Sequence, residues 1–141
     1  MTAALSWPLQ QAVFVLLSAD PALAALLGAD RIFDEPPHRD AEAHSPAPYL
    51  ILGEESVEPW FDKTARGAVH ELSLTITDPR RGYARVKQIA AAVCDALDAA
   101  EPTLARGRLV RLQFLGATFA RADQGARRRA TLRYRAVVED V

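Results

Sequence analysis

The sequence predicts an α+β fold, in which an antiparallel-rich sheet of about four to five strands carries its helices on one face. Three observations predict it. Apolar residues recur at helical spacing over residues 6–27, strand-like alternation begins at His70 and returns over residues 110–138, and a second helical stripe runs from Tyr83 to Leu97. The expected order is an N-terminal helical hairpin, three strands, one long amphipathic helix and two strands, in a single domain of residues 1–141.

Ser6 is expected to cap the first helix, whose first turn holds Trp7 and Pro8, and Leu9, Val13 and Leu17 follow at helical spacing. The segment 12–19 is apolar almost all round. Such a helix needs burial on more than one side, by the core and, in an oligomer, by a neighbouring subunit.

A second, short helix is expected after Asp20 and Pro21, and Gly28 is expected to end it. Five of the nine prolines then fall between residues 34 and 60, which excludes a continuous helix or central strand there. We therefore expect long loops at 34–48 and 53–66, with one strand between them. Loops of this length in compact domains commonly bind partners.

The strand that follows has an apolar face at Leu72, Leu74 and Ile76 and a polar face at the positions between them. His70 is in phase with the apolar side and is expected at the rim of the core or inside it. The helical stripe from Tyr83 to Leu97 is expected to cover the apolar face of the sheet.

The last two strands form a predicted hairpin. The phase of alternation changes beside Gly116, which predicts a β-bulge. Before Gly116, alternate positions are apolar and are expected on one face of the strand, and they are Val110, Leu112 and Phe114. The final strand has a core face of alternate residues from Ala130 to Val138, and these members are Ala130, Leu132, Tyr134, Ala136 and Val138. The loop at 122–126 contains Gly125, which can adopt a positive φ angle.

Net charge is only −1, but the two halves of the chain differ. Residues 1–62 contain two basic and ten acidic residues, a balance of −8, whereas residues 63–141 contain fifteen basic and eight acidic residues, a balance of +7. Oppositely charged patches would steer copies of the chain together head to tail. Alternatively, the two halves intermix in the fold and no patch forms.

Enzymatic and metal-binding motifs are missing, so we expect no enzyme, no metal and no cofactor. The segment His38–His44 holds two histidines and two carboxylates, but it lacks the fixed spacing of zinc motifs and is expected to be a solvated loop. Cys94, the single cysteine, has no base beside it and is expected to be a small buried or half-buried apolar residue. Phosphate-binding glycine loops and membrane-spanning segments are absent from the sequence.

Nucleic-acid binding is an alternative because arginines crowd the last hairpin. Sheets that bind single strands also present aromatic side chains for base stacking, and here Phe114 and Tyr134 are expected to point with the core. Sequence-specific binding is therefore not expected.

The order of these features resembles the tail-terminator (tail-completion) proteins of long-tailed phages and of gene transfer agents. The resemblance spans residues 9–139 and rests on Arg31-Ile32-Phe33 before a proline-rich loop, Pro48–Gly53, Trp60 before a glycine-led strand, and the turn and helix from Gly82 to Leu97. These motifs specify packing and turns, so they imply a structural role.

The resemblance implies a ring, usually hexameric, in the tail of the particle at its head-proximal end. Its expected partners are other copies of itself, the tail tube protein and the head-tail connector or stopper protein, with DNA passing through the ring without sequence-specific binding. It also implies assembly in the bacterial cytoplasm. Because the sequence has no membrane-spanning segment, no membrane partner is expected. The alternatives are a head-closure or connector (stopper) protein and a small nucleic-acid-binding module.

Subunit and tube contacts are expected in an acidic segment and in the basic last hairpin. The candidate contact residues are Glu54, Glu55, Glu58, Trp60, Arg127, Arg128 and Arg129. We expect the glutamates of one subunit to meet the arginines of the next.

Overall fold

The computed structural model describes residues 3–35, 47–60, 67–99 and 101–141. The elements are α1 (Ser6–Ser18), α2 (Pro21–Leu27), β1 (Ile32–Phe33), β2 (Tyr49–Pro59), β3 (Gly67–Asp78), α3 (Ala84–Ala99), β4 (Arg108–Ala122), a 3-10 turn (Asp123–Gly125) and β5 (Arg127–Glu139). The strands form one sheet in the order β1-β2-β3-β5-β4. Among the described strands, β1 and β2 pair in parallel and the other neighbours pair antiparallel. This confirms the predicted α+β fold.

The helices cover one face of the sheet, which we call the covered face. The α3 helix lies over β3, β4 and β5, α1 lies over β2, and α2 packs against α3. The largest fully buried side chains on this side include Leu9, Leu50, Ile76, Ile89 and Tyr134. Burial of these side chains provides the main stabilisation of the fold.

The opposite face, which we call the open face, carries mostly polar side chains. Directly paired residues of neighbouring strands point to the same side of a sheet. Glu54 pairs with Ser73, Ser73 with Arg133, and Arg133 with Gly116, so these residues mark the open face across four strands.

The β2 strand is longer than predicted. It continues to Pro59, so the expected loop at 53–66 is wrong for residues 53–59. Gly53, at φ +121°, lies where the β2–β3 register shifts between Ile51 and Glu54, which identifies a bulge. Pairing with β3 imposes an extended conformation on an acidic segment whose own β propensity is low. Residues 61–66 of that loop, and residues 36–46 of the loop predicted at 34–48, lie outside the described residues.

Arg31, which directly precedes β1, binds the C-terminal end of the 34–48 segment. Its guanidinium donates hydrogen bonds to the carbonyl oxygens of Pro48 (3.1 Å) and Ala47 (3.4 Å). The N–H of Leu50 donates to the carbonyl oxygen of Arg31 at 3.0 Å. These bonds place the entry to β2 beside β1.

The α1 helix already includes Ser6, the residue predicted to cap it, so the predicted cap is wrong. Leu5 occupies the cap position and makes no side-chain capping bond. Ser6 instead hydrogen-bonds the carboxylate of Glu55. The second helix follows the prediction, because Asp20 accepts a hydrogen bond from the N–H of Leu23 at 2.9 Å and Gly28, at φ +94°, ends it.

In the part of the chain that the structure describes, no single helix is long and apolar enough to cross a membrane. Taken together, α1 and α2 are long and apolar enough for such a span, but the pair is bent by 80°.

The β4–β5 hairpin contains the predicted bulge, because the register shifts between Phe114 and Gly116. A second shift, between Leu109 and Arg111, was not predicted. Val110 is therefore the extra residue of a bulge. It is 43% exposed, although its position in the sequence alternates with polar residues as a buried residue would. Gly125 has the expected positive φ, +88°.

The predicted core face of β5 is confirmed, since the five expected residues are each at most 1% exposed. The predicted stripe of α3 is also confirmed, with Val86, Ile89 and Val93 fully buried.

Candidate subunit-contact surfaces

The outer surface of α1 is apolar and exposed. Trp7, Phe14 and Val15 are 59%, 43% and 64% exposed. Together with neighbouring residues they line a groove of about 470 Å³ between α1, β1 and β2. We call this the α1 groove, and its other lining residues are Gln10, Gln11, Ile32, Phe33, Asp34 and Leu52. The sequence predicted that α1 needs cover on more than one side, and this groove is the side of α1 that the described residues leave uncovered.

The second exposed apolar surface lies on β4, the last strand in the sheet order. Phe114, 48% exposed, pairs with Tyr134 across the hairpin, and the two rings meet edge to face with centroids 5.5 Å apart. Phe114 thus points to the covered face as predicted, but it lies at the outer margin of the sheet. With Val110 it forms what we call the β4 edge.

Two of the predicted acidic contact residues are accessible. Glu54 and Glu58 are exposed on the open face of β2, opposite Ser73 and Val69 of β3. Neither has an ion pair with another described residue. They are available to a partner.

The third predicted acidic residue, Glu55, lies on the covered face. Its Oε2 is 2.9 Å from Nδ1 of His70, which is fully buried, and Ser6 of α1 also hydrogen-bonds it. Burial opposes the charge of Glu55, but the bonds from His70 and Ser6 hold its pKa below the ordinary value. The contacts of Glu55 are therefore internal to the subunit, and His70 is a core residue, one of the two positions predicted for it.

Trp60 is engaged inside the subunit as well. The backbone N–H of Trp60 donates to the carbonyl oxygen of Gly67 at 3.2 Å. Its ring lies so close to Gly67 that a Cβ added there would be 2.5 Å from Cε3 of Trp60. The half-buried Trp60 thus packs where β2 and β3 come together.

The three predicted arginines have three different environments. Arg128 points to the covered face, is largely buried, and lies with its guanidinium carbon 5.3 Å from the centre of the Tyr83 ring. Arg127 is half-buried and pairs with Asp123 at 3.3 Å. Arg129 is exposed on the open face, opposite Thr77, with no ion pair to a described residue. Only Arg129 of the three projects freely toward a partner.

Several other charges of the last hairpin are paired within the subunit. Arg135 pairs with Glu71 at 3.3 Å, and Arg108 pairs with Glu139. Arg111, Arg121 and Arg133 are exposed and have no ion pair to a described residue. The free positive charge of this region therefore lies on β4 and on the open face of β5.

No group of three or more potential metal ligands occurs among the described residues. The segment His38–His44 lies outside them. Cys94 is a half-buried free cysteine, as expected, and lies beside the buried Tyr134. Burial raises the pKa of the Tyr134 hydroxyl.

A sequence model of the family "Tail completion protein gp17" matches residues 11–139 of the chain, which includes both candidate surfaces except Trp7 and Gln10 of the α1 groove. The chain belongs to this tail-completion family. No curated protein sequence matches it significantly.

The tail-completion chain is also similar to a protein in the solved structure of the virion of a native gene transfer agent particle. The two are 41% identical, the TM-score is 0.86, and the match covers 98% of this chain and 99% of the other. The resemblance drawn from the sequence is therefore confirmed. The protein is a structural tail-completion component of a phage or gene transfer agent virion, where it contacts other tail and head proteins.

The sequence prediction missed the apolar contact candidates. Val110 and Phe114 alternate with polar neighbours as a buried strand face would, and only the second bulge and the edge position of β4 expose them. For α1 a signal was present, because the helix is apolar on faces that a single core cannot cover.

Proposed function

We propose that this tail-completion protein is the tail terminator, which forms a hexameric ring that caps the tail tube and joins it to the head-tail connector. The observation that carries the proposal is the similarity, over nearly the full length of both chains, to a protein of a gene transfer agent virion. The family match over residues 11–139 supports the same role.

The geometry of the subunit supports a ring. Its sheet has two different margins, the α1 groove beside β1 and β2 and the β4 edge at the other end. Different surfaces at opposite ends allow head-to-tail contacts, and such contacts close into a ring when the rotation between subunits permits it.

A terminator ring also needs two further binding surfaces, one for the tube protein and one for the connector protein. A tail tube that grows by stacking rings exposes the same surface after each addition, so a different protein must cover that surface to stop growth. In this role the protein acts at the head-proximal end of the tail, after assembly in the bacterial cytoplasm, and DNA passes through the ring without sequence-specific recognition. The role involves no catalysis, metal or cofactor.

Deletion of the gene tests the proposal. We expect filled heads without joined tails, with tubes absent, unattached or of abnormal length, while the head proteins and packaging enzymes are intact. Complementation with the wild-type gene is the control, and electron microscopy of the particles is the measurement. Normally attached tails of normal length in the deletion strain would contradict the proposal.

A solution experiment separates the ring from the nucleic-acid-binding module. A hexamer in native mass spectrometry supports the ring. A monomer whose DNA affinity falls steeply with salt would instead support the nucleic-acid-binding module.

A further inference from the structure

The tail-completion subunit exposes apolar side chains at both ends of its sheet. At one end Trp7, Phe14 and Val15 border the α1 groove, and at the other Val110 and Phe114 form the β4 edge. Large apolar side chains in water are unfavourable, and contiguous apolar patches on soluble proteins commonly mark contact sites.

We propose that the β4 edge of one copy of this chain packs into the α1 groove of the next copy. This inference rests on the proposed ring and names the surfaces that would build it. The occupant of the groove is therefore a second copy, and the contact is heterologous, because the two surfaces differ.

The α1 groove and Phe114 of the β4 edge lie on the same side of the sheet. The α1 helix packs on the covered face, and Phe114 also points to that face, where it meets Tyr134. Two subunits placed edge to edge with their sheets in the same orientation would bring Phe114 of one toward Phe14 and Val15 of the other. This contact forms without turning one subunit over. A ring with a single rotation axis requires the same, because all of its subunits have one orientation along the axis.

Charge favours the same arrangement. Asp34 lines the groove, and Glu54 and Glu58 are exposed on the adjacent β2. Arg111 and Arg121 are exposed on β4, with no ion pair to any residue that the structure describes. Head-to-tail contact brings unlike charges together, whereas contact between two grooves would bring acidic residues together.

The sheet itself gives a third reason. The outer side of β4, from Arg108 to Ala122, has no neighbouring strand in the described part of the chain. Uncovered strand edges tend to pair with other chains, and proteins ordinarily protect them. A neighbouring subunit seated on the β4 edge would provide that protection.

Disulfide trapping in assembled particles tests the contact. In a Cys94→Ala background, the chain carries Val15→Cys and Val110→Cys together. After mild oxidation we expect a ladder of covalent multimers, from dimer up to the full ring, in denaturing gels without reductant. Addition of reductant should convert the ladder to monomer.

Three control chains identify the contact. Val15→Cys alone and Val110→Cys alone should remain monomeric, because each lacks its partner thiol. The pair Val15→Cys with Ala91→Cys, which places the second thiol on the exposed side of α3, should also remain monomeric. Dimers formed by Val15→Cys alone would show a groove-to-groove contact and would overturn the proposal.

A cryo-electron microscopy map of the same particles separates this inference from the proposed function. If the map contains a ring of this protein and the Val15/Val110 pair gives no ladder, the contact is wrong and the terminator role stands. If the map contains no ring, the proposed function itself fails.

Discussion

Nδ1 of His70 lies 2.9 Å from Oε2 of Glu55, on the face of the sheet that the helices cover. Ser6 of α1 bonds the same carboxylate, so one side chain connects α1, β2 and β3. Burial alone would raise the pKa of Glu55, but the two hydrogen bonds lower it overall. The folded state therefore stabilises the ionised carboxylate of Glu55 relative to the unfolded state.

Replacement Glu55→Gln should therefore destabilise the protein in a pH-dependent way. A carboxyl group with a lowered folded pKa contributes stability above its unfolded pKa, about 4.3, and loses that contribution as the pH falls through the folded pKa. We expect a loss of about 1 kcal/mol at pH 7, and a smaller difference from wild type near pH 3.5. Urea unfolding at both pH values measures it. Glu54→Gln, at an exposed position, is the control and should change stability little at either pH. If Glu55→Gln lowers the free energy of unfolding by the same amount at both pH values, this explanation is contradicted.

A second prediction concerns the turn between β3 and α3. Asp78 is fully buried, and Nε of Arg85 lies 3.1 and 3.0 Å from its two carboxylate oxygens. The N–H of Arg80 also donates to Asp78 at 3.0 Å. Arg85→Ala would leave a buried carboxylate without its cation, which typically costs about 3–5 kcal/mol.

Thermal and urea unfolding of Arg85→Ala measure that loss. Arg81→Ala is the matched control, because Arg81 is exposed in the same turn, and its effect should stay within about 0.5 kcal/mol. Equal effects of the two substitutions would show that the Asp78–Arg85 pair does not hold the turn.

A third prediction compares two glycines. A Cβ at Gly67 would lie 2.5 Å from Cε3 of Trp60 and 2.7 Å from the carbonyl oxygen of Val138, so Gly67→Ala forces the backbone to move. We expect a loss of about 1–3 kcal/mol, the usual cost of overpacking. At Gly116 the nearest group is Nη2 of the flexible Arg133 side chain, at 3.1 Å, so Gly116→Ala should be tolerated. Chemical unfolding of both variants measures the difference, and similar stabilities would refute the role assigned to Trp60.

The core was predictable from sequence, because hydrophobic periodicity directly encodes which side chains are buried. The alternate residues of β5 and the stripe of α3 are buried as their spacing predicts. Gly116 also predicted a bulge, since glycine in an alternating strand commonly marks one.

The contact surfaces were less predictable, because they depend on long-range pairing. The acidic residues after Gly53 have low β propensity, and only their pairing with β3 shows that Glu54 and Glu55 point to opposite faces of the sheet. Glu55 and Arg128, chosen from sequence as partners across a subunit boundary, each have internal contacts. Reversing either charge would disturb the fold of the subunit before it tested assembly.

Charge-guided assembly is better tested at exposed positions with no partner inside the described part of the subunit. Glu54 and Glu58 on β2, and Arg129 and Arg133 on β5, meet this condition. Reversing both glutamates to lysine should weaken ring formation, because two like-charged surfaces then meet. Reversing both arginines to glutamate should weaken it as well.

A chain that carries all four reversals inverts both surfaces and restores their complementarity, so ring formation should recover in part. Ring formation is measured by native mass spectrometry at low and high salt, and the effect of the paired reversals should shrink at high salt. Glu71→Gln is the control, because the partner of Glu71 is Arg135 of the same subunit. If the fourfold variant assembles no better than the paired reversals while its thermal stability equals that of wild type, these four charges do not guide subunit assembly.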